Sequence, residues 1–414
     1  MSSIHSFRDL ANDEFDTRTL LRNAVQQAKD RNYDDFYIVD TDSHHYEQEA
    51  FKEIAELIEN PILRHEAKVQ GMSLDGIVSD NARYQGNGGR ITRYPMRSKE
   101  KVPPTPHRDI TLMERWMDCM GVDTAVMFPT PMLNLASCPR HQDVTGVAFA
   151  YNRWLTEKIL AENSRLKSLL YLPFYDPDAC YRMIEEFGER KGVVGFMVTA
   201  THYKSNFENP YMKIYAALQE RGMPLGFHAA FNWSEQSLSL TNRFIAVHSL
   251  GFSWCNMLYM TNWLVNGMPE RFPRLKTIWI ESGLAWLPFL MQRLDNEFMM
   301  RTSDAPLLKR RPSDYMREMY FTSQPMEMVN NRKALEVTFE MISAPTQLLY
   351  SSDYPHWDMD LPSTIYDLPF LNEQDKRNIL GGNAQRLFNL EPTLSPAKLA
   401  RRNAGPSQES LAQT

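Results

Sequence analysis

Phe36-Tyr37-Ile38-Val39-Asp40-Thr41-Asp42-Ser43-His44-His45 begins as an apolar run and ends in carboxylates and imidazoles. A short apolar run of this kind reads as a buried strand of a parallel sheet. In a (β/α)8 barrel the chemistry sits at the C-terminal ends of such strands. Asp42 and His44 alternate, so both side chains leave the extended chain on one side. The pattern recurs twice more. Met223-Pro224-Leu225-Gly226-Phe227 ends at His228, and Leu348-Leu349-Tyr350-Ser351-Ser352 ends at Asp353. Two imidazoles and two carboxylates at strand ends suit one divalent metal, Zn²⁺, Mn²⁺ or Fe²⁺. Asp42, His44, His228 and Asp353 are therefore the candidate ligands.

Around these strand ends, apolar runs alternate with helical patterns, which signals α/β architecture. Strand candidates fall at 36–42, 123–128, 166–173, 193–199, 223–228, 275–281, 318–323 and 347–353. Helical stretches include 110–120, 147–162, 178–190, 209–221, 283–299 and 329–342. Eight strands alternating with helices fit a (β/α)8 barrel over residues 35–392. Two connections are longer than a barrel needs: 43–109 after the first strand and 229–274 after the fifth. Insertions at this end of a barrel lie over the active site, so both are candidate lids. The first holds Gly86-Asn87-Gly88-Gly89, which matches no phosphate-binding pattern and reads as a turn. Residues 1–34 read as an N-terminal helical arm, with Leu20, Leu21 and Val25 at helical spacing. Residues 393–414 read as a flexible polar C-terminal tail.

The bulk numbers set outer bounds. The chain has 414 residues and is 43% hydrophobic, ample for one decorated barrel. A net charge of -6 gives no electrostatic case for nucleic acid or an anionic membrane. Lys309-Arg310-Arg311 and Arg401-Arg402 are short runs that read as solvated surface. Cys119, Cys138, Cys180 and Cys255 are widely spaced, which fits free thiols in a reducing compartment. No apolar stretch approaches the ~20 residues of a membrane span, and no signal-peptide core is visible at Met1-Ser2-Ser3-Ile4. These features predict a cytoplasmic protein with a small-molecule substrate.

Four stretches together resemble a known family. They are Val39 to His44, Met223 to His228, Glu270-Arg271-Phe272-Pro273-Arg274-Leu275-Lys276 running to Glu281-Ser282-Gly283, and Ser351-Ser352-Asp353-Tyr354-Pro355 with Gly382-Asn383-Ala384-Gln385-Arg386-Leu387-Phe388. In this order they are similar to the amidohydrolase-related group that includes aminocarboxymuconate semialdehyde decarboxylase and resorcylate-type decarboxylases. The resemblance implies a distorted (β/α)8 TIM barrel with one divalent metal on Asp42, His44, His228 and Asp353, where Asp353 also shuttles a proton. Two departures stand out. Decarboxylases of the group often carry His-x-His on strand one, and the Asp42 found here moves preference from Zn²⁺ towards Mn²⁺ or Fe²⁺. Many relatives place a His at the end of strand six, where this chain has Glu281. Glu281 then takes over acid–base work or binds a second metal. A rarer branch, the 2-aminoisobutyrate hydroxylase subunits, is similar in the Asp42-x-His44 start, Glu281 and His248.

Other residues gain roles from their positions. Asp40 shares the parity of Asp42 one step deeper in the strand and reads as a supporting group. His45 has the opposite parity and faces helices or lid. Glu47 is a possible reach-back ligand, but reads better as a surface residue of a first helical turn. His248, in the second insertion, is a candidate catalytic group. His356 borders the pocket from the loop after strand eight, and His202 sits just past strand four; both are candidate substrate contacts. Arg90, Arg93 and Arg97 carry guanidinium forks that match a substrate carboxylate. Trp254, Met257, Met260 and Trp263 fall near helical spacing and read mainly as packing.

The reading that results is a metal-dependent hydrolase or carboxy-lyase acting on a small organic carboxylate or ester-like compound. The alternatives are an iron- or manganese-dependent oxygenase subunit, or a metal-bearing scaffold subunit of such a heteromer. Assembly as a homo-oligomer or with a related chain is expected.

Overall fold

The computed structural model describes residues 17–70, 105–200, 204–230, 233, 235–327 and 331–404. Arg90, Arg93, Arg97, His202 and the Gly86–Gly89 turn lie outside the described residues. Eight parallel strands follow one another in chain order. They are β1 (Val39–His45), β2 (Thr124–Pro129), β3 (Leu166–Tyr171), β4 (Val193–Thr199), β5 (Leu225–His228), β6 (Thr277–Ile280), β7 (Tyr320–Thr322) and β8 (Leu348–Leu349). Each overlaps its predicted segment. The Thr41 amide donates to Tyr350 O at 2.9 Å, and Ser43 bridges Tyr354, so β1 meets the end of β8 and the barrel closes.

The first strand departs from its predicted limits. It starts at Val39 and continues through Ser43, His44 and His45, which pair with Met127, Phe128 and Pro129 of β2. The polar residues were read as the point where the strand stops. They remain in the ladder because each side chain finds a partner: Ser43 on Val126 O, His44 on Pro129 O and His45 on Asp109 of a flanking helix. A register shift between Asp40 and Ser43 marks a bulge, and bulges re-aim side chains next to active sites.

Alternating parity along β5 shows how the barrel is filled. Phe227 points outward, stacks on Trp279 with ring centroids 4.5 Å apart and meets Trp263 of the insertion helix. A stacked pair adds about 0.5–1.5 kcal/mol beyond its buried area. Gly226 has the parity of His228. A Cβ there would stand 2.9 Å from Ile280 Cδ1 and 3.0 Å from Leu169 Cδ1, so glycine lets these two side chains fill the interior beneath His228.

Both insertions are present as expected. The first carries the short helices Phe51–Glu56 and Pro61–Gln70. The second carries a helix of 22 residues, Phe244–Val265. Asn256 on that helix donates to Phe227 O (3.2 Å) and Ile280 O (3.1 Å), tying it to the ends of β5 and β6. Met260 and Trp263 are buried there, while Trp254 is exposed, so the stripe is mostly packing. No helix among the described residues is long and apolar enough to cross a membrane.

The described part of the N-terminal arm is the helix Thr17–Asp30, which packs on the helix Arg108–Met120. At the other end the structure corrects the expectation of a loose tail from 393. Residues Pro396–Ala404 form a helix, and its Lys398 is fully buried. Lys398 Nζ lies 2.6 Å from Asp123 Oδ2 and donates to Phe36 O at 2.7 Å. Asp123 also accepts the amides of Ile38 (2.9 Å) and Ser395 (2.7 Å). The apolar side of this helix is too short to announce itself in a polar tail. Burial pushes the Asp123 carboxyl up and the Lys398 ammonium down, so the pair is held at a desolvation cost. Removing one partner leaves the other buried and uncompensated, which costs about 3–5 kcal/mol. Lys398→Met should therefore lower the urea midpoint strongly, and an unchanged midpoint would show that this helix does not lock the barrel floor.

Candidate metal centre

Asp42, His44, His228 and Glu281 converge at the C-terminal mouth of the barrel, and all four are buried. His44 Nε2 lies 3.1 Å from Asp42 Oδ1, 3.3 Å from Asp353 Oδ1 and 3.7 Å from Glu281 Oε2. His228 Nε2 lies 3.5 Å from Asp42 Oδ1 and 3.4 Å from Glu281 Oε2. A second, overlapping group joins His44, Glu281, Asp353 and His356. Of the four predicted ligands, Asp42, His44 and His228 share one group with Glu281, and Asp353 reaches it from the His356 side through His44 and Glu281.

The chain aims each imidazole from behind. His44 Nδ1 is 2.9 Å from Pro129 O, and His228 Nδ1 is 2.6 Å from Ala229 O. A backbone carbonyl can only accept, so in each ring Nδ1 carries the proton and Nε2 presents its lone pair to the cluster. Asp40, one step deeper, accepts the Ser352 amide at 2.9 Å and the Ser352 hydroxyl. It ties β1 to the segment that carries Asp353, the supporting role its parity suggested. Burial raises the Asp40 carboxyl to about 7. Glu281 (φ 50°) and Asp353 (φ 58°) both adopt the left-handed backbone region. Non-glycine residues rarely do so, and such strain gathers at functional sites.

The electrostatics describe a site built for a cation. Burial lowers the His44 imidazole, which keeps its lone pair free for ligation. Burial, then the charges of Asp42 and Asp358, push Glu281 well above the ordinary carboxylate range. Both oxygens of Asp42 and the Nε2 atoms of His44 and His228 are buried and meet no hydrogen-bond geometry. Buried polar atoms are otherwise satisfied as a rule. Carboxylates and neutral imidazoles facing one point fit a divalent ion of the Zn²⁺, Mn²⁺ or Fe²⁺ class.

The remaining candidates separate. His356 is buried, with Nδ1 2.6 Å from Asp353 Oδ1 and its ring centroid 4.3 Å from that of His44. It is therefore part of the cluster. His248 lies farther out on the insertion helix, against Phe244, Phe252 and Trp357, with Nε2 3.9 Å from Asp358 Oδ2. It joins the helix to the loop after β8 and is not among the groups that converge. His45 faces helices as its parity predicted, between Asp109 (2.9 Å) and the Tyr151 hydroxyl (2.8 Å).

Glu47 corrects the sequence reading. It is fully buried, and its oxygens accept the amides of Thr130 (3.0 Å) and Met132 (2.7 Å). Thr130 Oγ1 in turn lies 3.3 Å from His356 Nε2. Thr130 escaped notice because it carries no titratable group. For Glu47, the only available signal was its place two residues past a buried strand.

The amidohydrolase family matches residues 136–390, a span that holds His228, Glu281, Asp353 and His356. The gamma-resorcylate decarboxylase of Polaromonas sp. (strain JS666 / ATCC BAA-500) is 24% identical over 294 residues, 67% of this chain and 86% of that protein. The 5-carboxyvanillate decarboxylase of Sphingomonas paucimobilis shares the fold with a TM-score of 0.59 at 20% identity, over 86% of this chain and 100% of the other. A dihydroxybenzoic acid decarboxylase of Polaromonas sp. JS666, solved with manganese and the inhibitor 2-nitroresorcinol, aligns with a TM-score of 0.56 at 18% identity, over 86% of this chain and 97% of the other. With its barrel, its strand-end cluster and this match over most of its length, the chain belongs to the amidohydrolase family.

Proposed function

We propose that this protein is a metal-dependent carboxy-lyase that releases CO2 from a small hydroxylated aromatic carboxylate. The observation that carries the reading is the buried convergence of Asp42, His44, His228 and Glu281 with the Asp353–His356 pair along one side. The same ligands suit hydrolysis equally well. The relatives favour C–C cleavage, since those named above are decarboxylases of aromatic acids. None of them is an oxygenase, so the oxygenase and scaffold alternatives gain no support there. Manganese is the favoured ion, because Asp42 and Glu281 add hard oxygen donors to the two imidazoles and a relative was solved with manganese.

In this reading Asp42, His44, His228 and Glu281 hold the ion. When bound, it supplies Lewis-acid polarisation of the substrate's oxygen substituents. The Asp353 carboxyl delivers a proton to the ring carbon that bears the carboxylate. The electron pair of the breaking C–C bond returns to the ring as CO2 departs, and Asp353 is left as the carboxylate. Asp353 is fully buried, which limits the access of bulk water to this proton. Arg90, Arg93 and His202 remain candidate contacts for the substrate's acidic group.

Two outcomes follow from these roles. Asp353→Asn keeps the shape but removes the transferable proton, so kcat should fall by about 10²–10⁴-fold, the span of general acid–base catalysis. Circular dichroism should show the fold intact, and a fully active variant would contradict the mechanism. CO2 should be released from 2,6-dihydroxybenzoate or 5-carboxyvanillate, while methyl esters of these acids should not be hydrolysed. Ester hydrolysis without CO2 release would reverse the choice between the two reactions.

A further inference from the structure

Two buried hydroxyls that the metal cluster does not use stand at the ends of β3 and β4, across the closed barrel from β8. Thr199 pairs in register with His228, and Tyr171 pairs with Met197, which in turn pairs with Gly226. Paired residues of neighbouring strands point to the same face of a sheet. His228 and Gly226 face the barrel interior, so Thr199 and Tyr171 face it too. A Cβ on Gly226 would stand 3.4 Å from Met197 Cβ, which agrees with that shared face. Tyr171 and Thr199 are 1% and 3% exposed. The Tyr171 oxygen lies near the Thr199 side chain and near the backbone of Ala136 in the turn Pro131–Ser137. Yet neither hydroxyl meets hydrogen-bond geometry with any described residue. Polar atoms buried this deeply are satisfied as a rule. Burial pushes the Tyr171 phenol up, so it stays a neutral hydroxyl.

We propose that Tyr171 and Thr199 form a specificity pocket for an oxygen substituent that the substrate's aromatic ring carries away from the metal. The class of ligand rests on the carboxy-lyase reading. Adjacent strands stand about 4.7–4.9 Å apart, so Thr199 is one strand from the metal ligand His228 and Tyr171 is two. A ring whose carboxylate faces the ion has this wall beside it. A hydroxyl can donate or accept, so the pair suits a ring hydroxyl, a phenolate or a methoxyl alike. It discriminates against a bare C–H at the same position, which leaves both hydroxyls unpaired. The same two groups destabilise the ligand-free fold, because a buried polar atom without a partner carries its desolvation penalty. A side chain that weakens the fold and strengthens binding serves recognition rather than packing.

Calorimetric titration of the metal-loaded enzyme with 2-nitroresorcinol and with 2-nitrophenol, which lacks one hydroxyl, tests the pocket. Neither compound can lose CO2, so binding is read without turnover. Wild type should bind 2-nitroresorcinol about 10-fold more tightly, the range of one or two hydrogen bonds. Tyr171→Phe and Thr199→Val are close in shape and remove only the hydroxyl. Either should erase most of the preference while leaving the affinity for 2-nitrophenol in place. Thermal midpoints separate recognition from packing, since ligand-free Tyr171→Phe should melt no lower than wild type. A preference that survives both substitutions would overturn the proposal and leave the carboxy-lyase reading untouched. A lowered midpoint in Tyr171→Phe would also overturn it, because the hydroxyl would then be holding the turn at Ala136. A preference that depends on both residues, in an enzyme that releases no CO2 from hydroxylated benzoates, would uphold the pocket and count against the proposed reaction.

Discussion

The structure depends on holding Asp42, Glu281 and Asp353 together in a buried barrel mouth. Carboxylates taken out of water are costly unless a counter-charge or hydrogen bonds replace their hydration. The imidazoles of His44 and His228 do not supply that charge, because backbone carbonyls hold their Nδ1 protons and turn their lone pairs inward. The high carboxyl of Glu281 records the same pressure, as burial and the Asp42 charge oppose its ionisation. A divalent cation removes the conflict at once and inverts the local electrostatics. The left-handed backbone at Glu281 and Asp353 belongs to the same account. Strain is tolerated where the surrounding barrel over-determines the geometry.

Much of this was readable before any coordinates. Apolar runs ending in Asp, His or Glu mark strand ends in a parallel barrel, and the order of β1, β5 and β8 follows from them. Asp42 and His44 were legible because period-two alternation decides which side chains share a face. Other features were not legible, for definite physical reasons. Glu47 looks like a helix-surface acid because its partners, the amides of Thr130 and Met132, are about eighty residues away in the chain. The buried Lys398–Asp123 pair joins segments 275 residues apart, so nothing local separates Lys398 from other lysines of a polar tail. The limits of β1 were misjudged because polar residues usually end a strand, and here they are kept by the site they build.

The support around the centre is distributed over several strands. β1 supplies Asp42 and His44, β2 supplies the Pro129 carbonyl that orients His44, and the segment after β8 supplies Asp353 and His356. Asp40 joins the first and last of these through Ser352. Barrel closure and site assembly are therefore one event. The contacts that close β8 onto β1, among them the Asp353 amide on Asp42 O at 2.8 Å, also set the spacing of the carboxylates. The family match begins at residue 136, after β1 and β2, yet the fold returns both strands to the same mouth.

Elemental analysis of the protein purified without added metal tests the central claim most directly, when wild type is compared with His44→Ala and His228→Ala. The account predicts close to one divalent ion per chain in the wild type, manganese being favoured, and little or none in either variant. A wild-type protein that folds and turns over without metal would contradict it, as would an ion that persists after both histidines are removed.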